Sequence, residues 1–315
     1  YPVNSQGERK YMLEALACVH AVRVSRGSGI LDFVPELDDV RPDLFFVNED
    51  GHTPDKEALC RDRGIEYRVA QRLPAGQLPA RSTTALRRAS TIPYRIDLAG
   101  GWLDQPWVSA LHPGSVLTVS IEPTIDFNHR SGMAGSTRQT AVELWGRQLP
   151  AGNPERLAQI LFACDNPPGT VEISGSQDSI GIVLPGLNKS NYAGKYWPES
   201  IDKINDENIL TWLEKHLFLL PLGPRQQGYA VLENTNLSAE GAQLLAVAAE
   251  ACWQAILRQE LAGFGKAFRE SFEAQIAMFP NMVDPEILHL IERYRKQAFG
   301  WKLSGAGGGG YLVLV

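Results

Sequence analysis

The sequence predicts a small α/β segment at the N-terminus, residues 1–88, followed by a larger α+β domain over residues 89–315. Three observations carry that expectation. Short apolar runs alternate with helical periodicity up to about residue 80, strands dominate from Ser90 through Phe127, and the last third is strongly helical.

Apolar residues at Met12, Leu13, Leu16, Ala17 and Val19 predict a helix over Ser5–His20, and a short strand is read at Ala21–Val24. Asp43–Val47 is an apolar run closed by Asn48-Glu49-Asp50-Gly51, the pattern of a buried parallel strand. A helix over Asp55–Arg63 and a strand over Ile65–Val69 complete a parallel strand–helix–strand unit. Leu73–Pro79, rich in Pro and Gly, reads as the connection onward. Strands follow at Tyr94–Ala99 and Val116–Ile121, helices at Ala239–Gln259, Leu261–Met278 and Pro285–Ala298, and a last strand at Tyr311–Val315.

Bulk properties exclude several function classes. The net charge of −6, without a cluster of Lys and Arg, argues against a nucleic-acid partner. The apolar stretch Leu244–Ile256 is interrupted by Glu250 and Gln254 and is too short to span a bilayer, so no membrane association is expected. Cys18, Cys60, Cys164 and Cys252 stand far apart with no CxxC pair, which predicts free thiols and a cytoplasmic location.

Four loops carry candidate chemistry. In Pro93–Asp104 a strand delivers Arg95 and Asp97 to one face by period two, and Gly100-Gly101 then turns the chain so that Asp104 can lie beside Arg95. A plain strand–turn with a surface ion pair has the same pattern. Ser131–Arg138 sets small residues and hydroxyls before the helical pattern Gln139–Trp145, where bare N–H groups and the helix dipole favour a phosphate. An ordinary capped loop fits that segment alone equally well. Ser174–Gly181 holds Gln177-Asp178, and the run Ser304–Gly310 stands between Trp301-Lys302-Leu303 and an apolar strand, where glycines admit close backbone approach to a ligand. A Gly307→Val substitution is accordingly expected to block the ligand while leaving the fold largely intact.

In this order the four loops resemble the motifs of the GHMP kinases (galactokinase, homoserine kinase, mevalonate kinase, phosphomevalonate kinase), and within them the fucose and heptose-phosphate kinase branch. The resemblance covers roughly residues 90–315. It implies a two-lobed kinase domain that moves the γ-phosphoryl of ATP, with Mg2+, to a hydroxyl of a sugar or sugar phosphate. Carried over residue by residue, it gives Asp178 the role of catalytic carboxylate and Arg95 that of its partner at the transferred phosphoryl. Gly132, Ala134, Gly135, Ser136 and Thr137, with Gly305, Gly307 and Gly308, correspond to the phosphate-binding backbone. Asp104, Gly101 and Asn188 correspond to sugar contacts, with Lys195 and Trp197 as further candidates for that pocket. Ser136 and Asp165 correspond to the magnesium ligands, although Asp165 is equally placed to be a helix-end acid. Departures from the pattern are Gly135 in place of a serine, Arg138 directly after the loop, and a short spacing between the first two motifs.

Residues Arg81–Arg87, Tyr1–Val24 and Pro42–Val47 resemble a cytidylyltransferase. None of the six histidines stands in that family's His-x-Gly-His motif, so nucleotide binding without nucleotidyl transfer is expected. Two other readings stay open: a bifunctional kinase and nucleotidyltransferase in a longer form, and a non-catalytic nucleotide- or sugar-binding module on the same fold.

Overall fold

The computed structural model describes residues 6–71, 90–123, 133–222 and 230–315. Arg81–Arg87, the connection Leu73–Pro79, and the loop residues Ser131 and Gly132 lie outside the described residues. The chain divides into two compact units, Tyr1–Ser82 and Thr83–Val315.

The first unit contains α1 (Gln6–Glu14), α2 (Val34–Val40), β1 (Leu44–Asn48), α3 (Pro54–Asp62) and β2 (Glu66–Ala70). β1 and β2 pair in parallel with Leu44 opposite Glu66, and α3 supplies the crossover that parallel pairing requires. Thr53 starts α3 by accepting the N–H of Lys56, with Pro54 in the first turn. Two expectations are corrected. Ala21–Val24 forms no strand, because a four-residue run needs a neighbouring ladder and the described sheet is β1 with β2 alone. β1 is not buried on both faces: exposure alternates along it, Phe46 is 58% exposed, and Phe45 packs between Phe33 and Tyr67 at ring distances of 4.7 and 6.0 Å. Leu37 and Cys60 are the buried residues among those described here.

The second unit is mixed α/β. Its elements are β3 (Tyr94–Ala99), α4 (Pro106–Ser109), β4 (Gly114–Ile121), α5 (Gly135–Trp145), α6 (Pro154–Asp165), α7 (Gln177–Val183), β5 (Leu187–Tyr192) and β6 (Ser200–Ile204). They continue with α8 (Glu207–His216), β7 (Phe218–Pro221), α9 (Ala239–Leu257), α10 (Leu261–Met278), α11 (Pro285–Tyr294), β8 (Trp301–Leu303) and β9 (Tyr311–Leu314). An antiparallel sheet runs β3-β4-β5-β6, and a second runs β7-β9-β8. Ser238 caps α9 and Asp284 caps α11, each accepting the N–H three residues on.

All six residues of β3 are buried, and period two divides them. Ile96 and Leu98 join Trp253 and Ile256 of α9, Phe264 and Phe268 of α10, and Val313 of β9 in one core. Burying Phe264 or Phe268 fully stabilises the unit by about 1.5–3 kcal/mol each. Arg95 and Asp97 take the alternate positions, with polar partners from elsewhere in the chain. A smaller core of Ala141, Leu161 and Ile180 holds α5, α6 and α7 together. The fold thereby fixes α7 against β3 and β4 and sets the site.

Candidate active site

Arg95 reaches across 83 residues of sequence to Asp178 in the first turn of α7. Its Nε donates to Asp178 Oδ1 at 2.7 Å, and Nη2 donates to the same oxygen. The Arg95 side chain is 3% exposed and that of Asp178 is 22% exposed, so this is a half-open pair and not the surface ion pair the sequence also allowed. Burial alone would lower the Arg95 pKa, but Asp178, Asp97 and Asp104 together raise it. Gly181 makes room for the arginine: a Cβ there would lie 2.9 Å from Arg95 Cβ. Ser176, just before the helix, fixes this turn by sharing a 2.9 Å hydrogen bond with the Tyr192 hydroxyl and donating to the Tyr196 carbonyl.

Asp104 enters the same cluster. Gln177 Nε2 donates to Asp104 Oδ1 at 3.0 Å, and a Cβ on Gly175 would fall 1.6 Å from Asp104 Oδ2, so only glycine fits. Burial first, and then the like charge of Asp178, push the Asp104 carboxyl up to about 7, with Arg95 opposing. The carboxyl is therefore partly protonated near neutral pH and can accept or donate a hydrogen bond. Gly100 (φ +78°) and Trp102 (φ +80°) both take left-handed backbone in the turn before it. Trp102 tolerates this under packing: its ring stacks on Phe279 at 4.5 Å, and Nε1 donates to Met282 Sδ at 3.3 Å.

The glycine run is joined to this cluster through its lead-in. Lys302, fully buried in β8, donates Nζ to Asp97 Oδ2 at 2.8 Å and to the Leu303 carbonyl at 3.1 Å. The run itself rests on Met282: Gly308 N donates to its carbonyl at 2.9 Å. A Cβ on Gly307 (φ +90°) would lie 2.5 Å from the same oxygen. This corrects the expectation for Gly307→Val. The substitution is expected to lower Tm as well as activity, because both the dihedral and the Met282 backbone reject a side chain. Thermal unfolding indistinguishable from the parent would show that this contact yields freely.

The second motif is divided between two tasks. α5 begins at Gly135, and Ala134 precedes it in left-handed conformation without a side-chain cap, so no side chain occupies the first-turn N–H groups as a cap. Ser136 is exposed. Thr137 is 1% exposed and donates to Asp165 Oδ2 at 2.6 Å, while Thr140 donates to Oδ1 at 2.9 Å. Thr137 thus orients Asp165, and Ser136 is the hydroxyl of this turn that stays exposed. Arg138 is a clamp: it lies over the Tyr94 ring at 4.1 Å and donates to the Ile92 and Ser90 carbonyls, tying α5 to the start of β3. Its presence directly after the loop is thereby explained.

Magnesium fits this donor set in one manner. Among the described residues no group of three or more His, Cys, Asp or Glu gathers as a metal site. Asp165 still has lone pairs beyond the two threonine bonds, and Mg2+ is ordinarily held by one or two carboxylates plus substrate phosphates and waters.

Three further candidates lie elsewhere. Asn188 is completely buried and donates to the Leu184 carbonyl at 3.1 Å, closing the turn between α7 and β5. Lys195 is 72% exposed beside Glu199, and Trp197 packs on Phe162 in the α5–α7 core. Sequence reasoning gave no role to Lys302 or Gly175. A lysine inside an apolar strand was the available signal for the first. Nothing in the sequence marks Gly175 as the glycine that faces Asp104.

No family model matches the chain, and no curated protein does. Similar solved structures are GHMP-type kinases. A D-glycero-D-manno-heptose 1-phosphate kinase from Bacteroides thetaiotaomicron is 15% identical over 71% of this chain and 86% of its own, with TM-score 0.49. L. major mevalonate kinase is 11% identical over 72% and 86%, with TM-score 0.47. Lactococcus lactis galactokinase is 14% identical over 70% and 83%, with TM-score 0.41. Among the described residues no helix is long and apolar enough to cross a membrane.

Proposed function

We propose that the second unit is an ATP-dependent kinase acting on a hydroxyl of a sugar or sugar phosphate. The observation that carries this reading is the Arg95–Asp178 pair with Asp104 beside it, drawn from two motifs that are distant in sequence. In the proposed step the acceptor hydroxyl oxygen forms a bond to the γ-phosphorus, the bond to the bridging oxygen breaks, and ADP leaves. Asp178 takes the hydroxyl proton. Both Arg95 contacts fall on Oδ1, which leaves Oδ2 as the oxygen to receive it. Arg95 holds Asp178 in place by hydrogen bonding and stabilises charge on the moving phosphoryl. Asp104 orients the acceptor by hydrogen bonding. The first-turn N–H groups of α5 and the Ser136 hydroxyl bind phosphate oxygens. Asp165 and Ser136 would hold magnesium, whose chemistry when bound is to neutralise phosphate charge.

A panel assay tests the reading. ATP consumption is expected to depend on one or a few sugars or sugar phosphates, with background turnover in their absence. ATP consumption unaffected by every acceptor, with tight sugar binding retained, would instead mark a binding module.

A further inference from the structure

Asp97 and Lys302 form the most deeply enclosed ion pair among the described residues, with side-chain exposures of 3% and 0%. They belong to different sheets, β3 and β8, separated by 205 positions. Each stands directly beneath a loop of the candidate site. A Cβ on Gly101 would lie 2.4 Å from Asp97 Oδ2 and 2.5 Å from Gln275 Nε2, and Gln275 Nε2 donates to the Gly101 carbonyl at 3.1 Å. Asp97 therefore supports the turn that carries Asp104. Lys302 lies two residues before the glycine run, and its second bond, to the Leu303 carbonyl, fixes the backbone that leads into it. Five glycines of the run, Gly305 and Gly307–Gly310, have left-handed or otherwise positive φ, and only Ser304 and Ala306 carry side chains, so side-chain packing does little to set its path. Its placement has to come from its ends and from Met282.

We propose that the Asp97–Lys302 pair is the positioning element that holds the glycine run at the Gly100–Asp104 turn, in the place where the run receives the phosphates of ATP. This rests on the kinase reading for the identity of the ligand. Both residues act through the loops above them, and neither touches substrate. The role differs from fold maintenance in a measurable way. A purely structural pair can be replaced by two uncharged residues with fold and binding both recovered, whereas losing one partner strands a buried charge. A positioning pair leaves binding impaired after the fold is recovered.

The test is a double-mutant cycle on the full chain with Asp97→Asn, Lys302→Met and both together, read by Tm and by ATP affinity in calorimetry, with acceptor KM measured alongside. The single Lys302→Met variant is expected to lose Tm. The double variant is expected to regain most of that Tm yet bind ATP about tenfold more weakly, with acceptor KM within about twofold. A double variant that regains both Tm and parental ATP affinity overturns the proposal. If the double variant does not fold, Asp97→Asn alone carries the test, since it is isosteric and still offers Lys302 an oxygen; folded protein with ATP affinity within about twofold of the parent overturns it. A parent that binds ATP but phosphorylates no acceptor removes the kinase reading and leaves the ATP-affinity comparison standing. A parent that binds no ATP overturns both.

Discussion

Replacing Asp178 with Asn is expected to lower kcat by about two to four orders of magnitude, the usual loss when a positioned proton acceptor is removed. Nucleotide affinity should change little, because Asp178 sits on α7 and its hydrogen bonds run to Arg95 and not to the α5 loop. The amide oxygen of Asn can still accept from Arg95, so the geometry is kept while basicity is lost. Stability should fall somewhat, since Arg95 is buried and loses its nearest counter-charge. An Asp178→Ala variant separates the two effects: it removes the acceptor of the Arg95 bonds as well and should unfold at a lower temperature than Asp178→Asn, with a similarly low kcat. Activity of the folded Asn variant within a few-fold of the parent would take Asp178 out of the mechanism and leave the kinase reading without its base.

How much of this was legible in the sequence differs from residue to residue. Period two in Tyr94–Ala99 correctly put Arg95 and Asp97 on one face, because alternation follows from extended backbone and the register slips only after Asp97. Leu261–Met278 was read to the residue, since its apolar stripe is long and Pro280 stands just past its end. The partners of the charged residues were only partly legible. Period two and the glycine turn suggested Asp104 for Arg95, and only the resemblance paired it with Asp178, which α7 brings to the arginine by packing on β3. Long-range packing of this kind leaves no local pattern. Arg138 stood out as a departure from the phosphate-loop pattern and is a clamp on Tyr94, visible only once β3 and α5 are adjacent. Ala21–Val24 and the exposed face of β1 were misjudged because apolar runs report what a segment can bury, not what is present to cover it.

Asp104→Asn is expected to make the protein more stable above neutral pH while impairing acceptor binding. Asp104 has its carboxyl raised from 3.8 to about 7, chiefly by burial and next by the charge of Asp178. Between these values the folded protein holds a proton that the unfolded chain has released, so folding becomes less favourable as pH rises. The stabilising contribution is complete below about pH 4, falls through the window from 4 to 7, and is gone once the folded carboxyl ionises. At 1.36 kcal/mol per pH unit, the change across that window is on the order of 4 kcal/mol. Asn carries no such proton. It can accept from Gln177 Nε2 as Asp104 does, and its amide can occupy the place beside Gly175. The variant's denaturation midpoint should therefore be nearly flat between pH 5 and 8, where that of the parent declines, and the two curves should separate most at the alkaline end. The acceptor KM should rise, because Asn fixes one donor and one acceptor where Asp104 can take either role. Stability that declines with pH equally in parent and Asn variant would assign the slope to another group and would show that Asp104 is ionised throughout.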